Sequence, residues 1–130
     1  MSKRMLILVE GQTEERFVKD VLAPHFVPQE LYCFATILVT KHVKDGPRFK
    51  GGVTNFAKFK NDVDRLLTSS GGALVTTILD YYRLPTDFPG MADRPQSGST
   101  GQNKVRHVEQ AIHEHFGCPA NFLPFLALHE

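Results

Sequence analysis

The sequence predicts an α/β sandwich around a mainly parallel sheet of four strands, the Rossmann-like arrangement. One sign is that apolar runs of strand length alternate along the chain with stretches of helical periodicity. Another is the first run, Leu6 to Val9, which is apolar at every position, as expected of a strand covered on both faces. The last is that two strand runs break off at a carboxylate, Glu10 and Asp80. In parallel sheets the carboxyl ends of the strands form the ligand-binding edge.

The elements follow in order. After Leu6–Val9, Thr13 is placed to cap a helix whose positive end favours Glu14 and Glu15. Phe17, Val18, Val21 and Leu22 form its core stripe, and Pro24 closes it within about a turn. Tyr32 to Thr40 is rich in β-branched and aromatic residues and reads as the second strand. Lys41 to Val53 reads as a polar loop, broken by Gly46-Pro47 and Gly51-Gly52. Phe56, Phe59, Val63, Leu66 and Leu67 mark a helix over about 55–67, and Ser69-Ser70-Gly71-Gly72 ends it. Ala73 to Leu79 is the third strand. The Pro- and Gly-rich segment from Tyr81 to Gln102 is long for a loop in a compact domain, which points to function or mobility. Val105, Val108, Ile112 and His115/Phe116 then define a helix over 104–116, and Phe122 to Leu128 a final strand.

A chain of 130 residues fits one domain with a real core. No apolar run approaches the ~20 residues that span a bilayer, and no signal-peptide pattern opens the chain. The expectation is a cytoplasmic protein with no membrane partner. Cys33 and Cys118 lie far apart without metal spacing and are expected as buried free thiols. A formal net charge of +1 gives no global basic field, so any nucleic acid must be held by a local patch or through a metal.

Glu10 and Asp80 end strands at one edge, and Glu14 opens the helix beside Glu10. Carboxylates gathered there repel one another unless protons or a cation intervene. Mg²⁺ or Mn²⁺ accepts such oxygen donors, one or two from protein and the remainder from water and phosphate. A purely structural reading stands beside this one: Glu14 and Glu15 complement the helix dipole, and Asp80 caps a turn.

At these residues the sequence resembles a known fold family. Leu8-Val9-Glu10-Gly11-Gln12-Thr13-Glu14, with the later strand ending in Asp80, is similar to the TOPRIM domain of topoisomerases, primases and the overcoming-lysogenization-defect nucleases. More closely, the VEGQTEE stretch, Gly51-Gly52-Val53 and Thr76 to Tyr82, with Leu84-Pro85 and Phe88-Pro89-Gly90, resemble an uncharacterised bacterial family of TOPRIM-like proteins. Members of that family are often linked to ATPase partners in phage defence. The resemblance implies that Glu10 is the first-motif acid, ligating metal or acting as acid/base. It makes Glu14 the second acid of that motif and Asp80 the first acid of an Asp-x-Asp motif. The second acid of that pair is Tyr82 here, a poor Mg²⁺ ligand at neutral pH. Asp87 is the nearby carboxylate that could replace it.

Two functions are therefore expected as alternatives. One is Mg²⁺- or Mn²⁺-dependent cleavage of DNA or RNA in phage defence or DNA repair, with Glu10 and Asp80 catalytic and Glu10, Glu14 and Asp80 on the metal. The other is a non-catalytic TOPRIM-like module that partners an ATPase. In the first, the basic residues Lys41, Lys44, Arg48 and Lys50 contact phosphates. The last strand resembles one after which family members continue, so the expectation is either a truncated form lacking the helix that covers one sheet face or one half of a unit that a partner completes. Exposed apolar surface there would favour a homodimer. Glu130 would end a strand at the same edge as a further acid. His107, His113 and His115 do not share a helix face in a way that suits zinc. Tyr81 and Tyr82 would either stack a base or pack against a loop. Glu10-Gly11-Gln12 lacks the glycine pattern of the nucleotide-binding fingerprints.

Overall fold

In a computed structural model of the chain, the described residues are 3–41, 49–50, 55–95 and 100–128, with 39–41 and 49–50 described by backbone alone. A parallel sheet forms the middle layer. Its strands are β1 (Lys3–Val9), β2 (Leu31–Ile37), β5 (Leu74–Asp80), β6 (Phe122–Leu123) and β7 (Leu126–Ala127), and its spatial order is β2-β1-β5-β6, with β7 also on β5. The central register pairs Val9 with both Ile37 and Ile78. The final apolar run is thus two short strands, interrupted at Pro124-Phe125, rather than one. Proline has no N–H to give a ladder, which suits the break.

The alternation of side chains along β1 divides the core. Leu8, Val75 and Leu79 face α3 (Phe56–Ser69) and α4 (Gly101–His115), packing with Phe59, Val63, Val108 and Ile112. Ile7 and Val9 face the other layer, where Val18 and Leu22 cover them. That layer is α1 (Gln12–Phe17), a π-helical turn (Val18–Leu22) and α2 (Ala23–Phe26), with helical backbone throughout. Helices on both faces are what right-handed crossovers require. The same face carries Ile78, Leu123 and Phe125. With Phe17 and Leu22 they line a cavity of about 790 Å³.

Local expectations agree with the structure at some points and differ at others. Pro24 lies in α2, which ends at Phe26 within a turn of it, as expected, and a 3-10 turn at Val27–Gln29 follows. The π turn ahead of it shifts the hydrogen bonding, which accommodates a proline within a continuous helical run. Thr13 is not the cap, because α1 begins at Gln12 and Gly11 occupies the cap position without a side-chain bond. Asn55 and Thr100 do cap α3 and α4, accepting from the Lys58 and Asn103 amides. The second strand stops at Ile37. Past it, the end of the expected second strand forms a separate β3 (Val39–Lys41), which pairs antiparallel with β4 (Phe49–Lys50), a strand inside what reads in sequence as a loop.

The long 81–102 segment is packed over 81–95. Leu84, Phe88 and Met91 are buried in the main core. Gly90, at φ +84°, passes so close to α4 that a Cβ there would lie 2.8 Å from the Ala111 Cβ. Both cysteines are free, but Cys118 is exposed and Cys33 only half-buried, which corrects the expectation of two buried thiols. Cys118 sits in the positive-φ turn after α4, where the chain runs over the surface.

Candidate functional site

The chain leaves β1 toward β2 on one side and returns on the other side of β1 as β5. Beyond the carboxyl ends of β1 and β5 lies the switch point, where open parallel sheets bind ligands. Glu10 and Asp80 are at this point. Glu10 is only 5% exposed, and its Oε1 accepts a 2.7 Å hydrogen bond from the Asp80 backbone N–H. The residue after one strand thereby clamps the last residue of its neighbour. Asp80 in turn accepts from the Tyr82 amide through Oδ1 at 3.0 Å, turning the chain into a 3-10 helix at Tyr81–Arg83. The Arg83 Nε stands 3.8 Å from Asp80 Oδ2 with its side chain largely in solvent, so this ion pair contributes little stability.

Burial raises the pKa of Glu10. The Asp80 amide lowers it, the charges of Glu14 and Asp80 raise it again, and Arg83 gives a smaller opposing pull. The edge therefore holds excess negative charge around a desolvated carboxylate. Glu14 and Asp80 also line the large apolar cavity at its polar end. Among the described residues, no three His, Cys, Asp or Glu side chains are grouped closely enough to hold a metal ion together.

A further carboxylate on the same cavity is not one that sequence reading singles out. Glu109 of α4 lines it, and its Oε2 accepts from the Leu126 N–H of β7 at 2.8 Å. Burial raises its pKa, against the Leu126 amide and Arg106. A signal for it exists in the sequence: Glu109 follows Val105 by four residues and precedes Ile112 by three, so it interrupts the apolar stripe of its helix.

Of the predicted site residues, the structure joins Glu10 directly to Asp80 and puts Glu14 on the same rim. Asp87 is committed elsewhere: its Oδ2 accepts from the Phe56 amide at 3.0 Å and so holds the start of α3. Lys41 and Lys50 lie on the β3–β4 ladder, with side chains outside the described residues, as Lys44, Arg48 and Glu130 are entirely. Tyr81 is buried at 5% exposure, whereas Tyr82 is 60% exposed. His107 contacts Asp93, His113 contacts the Pro119 carbonyl, and the His115 ring packs edge-on to Phe56. No helix among the described residues is long and apolar enough to cross a membrane.

Fold and site together define an α/β sandwich with a carboxylate-bearing edge at its switch point. The chain belongs to the family described as a domain of unknown function, DUF4276, which it matches over residues 9–130. No curated protein and no solved structure matches it.

Proposed function

We propose that the edge formed by Glu10, Glu14 and Asp80 is a TOPRIM-like, divalent-metal-dependent site acting on nucleic-acid phosphodiesters. The observation that carries this reading is the Glu10–Asp80 clamp: a buried carboxylate of raised pKa, bonded to the backbone of a second acid, at the ligand edge of a parallel sheet. The donors suit Mg²⁺ or Mn²⁺. They are hard carboxylate oxygens whose mutual repulsion the exposed Arg83 offsets only in part, and Mg²⁺ takes only one or two from protein. Glu10 and Asp80 would hold the ion, with Glu14 beside them. When bound, such an ion supplies charge neutralisation at phosphate and lowers the pKa of water.

The chain's own residues do the remaining work. Burial raises the proton affinity of Glu10 in the metal-free chain, and a bound cation would offset that, so Glu10 would serve as a ligand whose charge the ion neutralises. Its bond to the Asp80 amide keeps both acids in register. Arg83, exposed beside Asp80, would offset charge on the phosphate, together with Lys41, Lys44, Arg48 and Lys50. Incubation of the pure protein with plasmid and single-stranded DNA in Mg²⁺ or Mn²⁺ tests the reading. Cleavage that disappears in Glu10→Ala supports it, and cleavage no higher than in that variant refutes it.

A second reading is a non-catalytic TOPRIM-like module that docks on an ATPase partner or on a second copy of itself. It is favoured by Tyr82 in place of the second motif acid and by the exposed side chains of Phe17, Val21, Leu123 and Phe125. Under this reading, co-purification survives Glu10→Ala and is lost on Phe125→Asp.

A further inference from the structure

Directly after Asp80, the 3-10 turn, the packed 84–94 segment and the start of α4 enclose a second cavity of about 360 Å³. That is within the range of ligand pockets, roughly 300–1,000 Å³. Its walls are Tyr81, Tyr82, Leu84, Thr86, Met91, Arg94, Gly101 and Lys104. Among the described residues, two cations and two tyrosines line it and no carboxylate does. This inverts the chemistry of the acidic edge two residues upstream.

The tyrosines are unequal. Tyr81 is buried in the core and its ring meets that of Tyr82 edge-on, with centroids 5.4 Å apart. Tyr82, braced by that contact and by its amide's bond to Asp80, remains 60% exposed. The Arg94 guanidinium lies over the other partner, 6.0 Å from the Tyr81 centroid, and Lys104 stands half-buried one turn into α4. A held aromatic face beside an arginine and a lysine is the chemistry of base stacking combined with phosphate contact.

We infer that this cavity holds one nucleotide of a single-stranded nucleic acid, its base on Tyr82 and its phosphate on Arg94 and Lys104. The strand then continues past Asp80 and Glu10. Tyr82 therefore has a task of its own at the position where the resemblance expects an acid: it seats the strand. The inference rests on the nucleic-acid reading of the acidic edge and names how that substrate is gripped. It also selects single strands, because a paired base cannot present its face to a tyrosine.

Fluorescence anisotropy of a labelled single-stranded oligonucleotide, in EDTA with the full 130-residue chain, tests this apart from any metal chemistry. Tyr82→Ala is expected to weaken binding at least about fivefold, the low end for a base stacked on an aromatic ring, while Tyr82→Phe retains it. Lys104→Ala is expected to reduce the slope of log K against log salt by about 0.7, one single-strand phosphate contact. Equal affinity of wild type and Tyr82→Ala, or an unchanged salt slope in Lys104→Ala, overturns the inference. So does binding of the corresponding duplex or free mononucleotide as tightly as the strand. Strand binding that persists in EDTA while Mg²⁺-dependent cleavage is absent sustains the cavity and removes the catalytic reading alone.

Discussion

The Glu10 carboxylate and the Asp80 backbone amide, from neighbouring strands, meet at 2.7 Å just beyond the sheet. The bond fixes the Glu10 carboxylate against the Asp80 main chain, and the Tyr82 amide in turn orients the Asp80 carboxylate. Truncation at Glu10 leaves a part-buried N–H without its partner, which costs about 1–3 kcal/mol. Glu10→Gln keeps an acceptor oxygen of the same length. Chemical denaturation is expected to show Glu10→Ala destabilised by that amount and Glu10→Gln at or above wild type at neutral pH. Equal stability of all three would remove the clamp.

The pH dependence of stability carries the same signature. Burial raises the pKa of Glu10 and of Glu109 above the ordinary glutamate range. The folded state therefore binds these protons more tightly than the unfolded chain, and stability decreases as pH rises through that window. Below the ordinary range the full contribution is present; above the raised folded values it is gone. The melting temperature of metal-free protein is expected to fall with rising pH between those limits. Replacing both residues by glutamine should flatten the profile, and a double variant with the wild-type slope would contradict the assignment.

Gly90 holds the 84–94 segment against α4. Its φ of +84° suits glycine, and a Cβ there would lie 2.8 Å from the Ala111 side chain and 3.2 Å from the Val108 Cα. Gly90→Ala is expected to cost more than about 1 kcal/mol from backbone strain, with the backbone contact adding to it. Since this segment forms the wall of the tyrosine cavity, strand binding should weaken along with thermal stability. A variant as stable as wild type would show that the segment yields freely.

The fold and half of the edge were legible in the sequence because both rest on local patterns. Leu6 to Val9 reads as a doubly covered strand, and Glu10 and Asp80 follow apolar runs in the chain itself. What escaped depends on contacts distant in sequence. Nothing near Asp87 announces that it holds the Phe56 amide, nor could spacing show that Phe88 and Met91 of a Pro-rich loop enter the core. Glu109 was visible as a charge on an apolar stripe, but its partner, the Leu126 amide, comes from the far end of the chain. The exposure that separates Tyr82 from Tyr81 is a property of the 3-10 turn, which identical neighbouring residues cannot signal.

The measurement that bears most directly on the central claim is a calorimetric titration of Mn²⁺ into the full chain, the Glu10→Gln chain and the Asp80→Asn chain. Glutamine and asparagine keep the size of each side chain and leave the Glu10–Asp80 hydrogen bond an acceptor, so the comparison isolates charge. The account predicts saturable binding to wild type that weakens at least tenfold in either variant, accompanied by a rise in wild-type melting temperature as the repulsion around Glu10 is relieved. Heats no larger than dilution for wild type, or equal affinity in all three proteins, would contradict it.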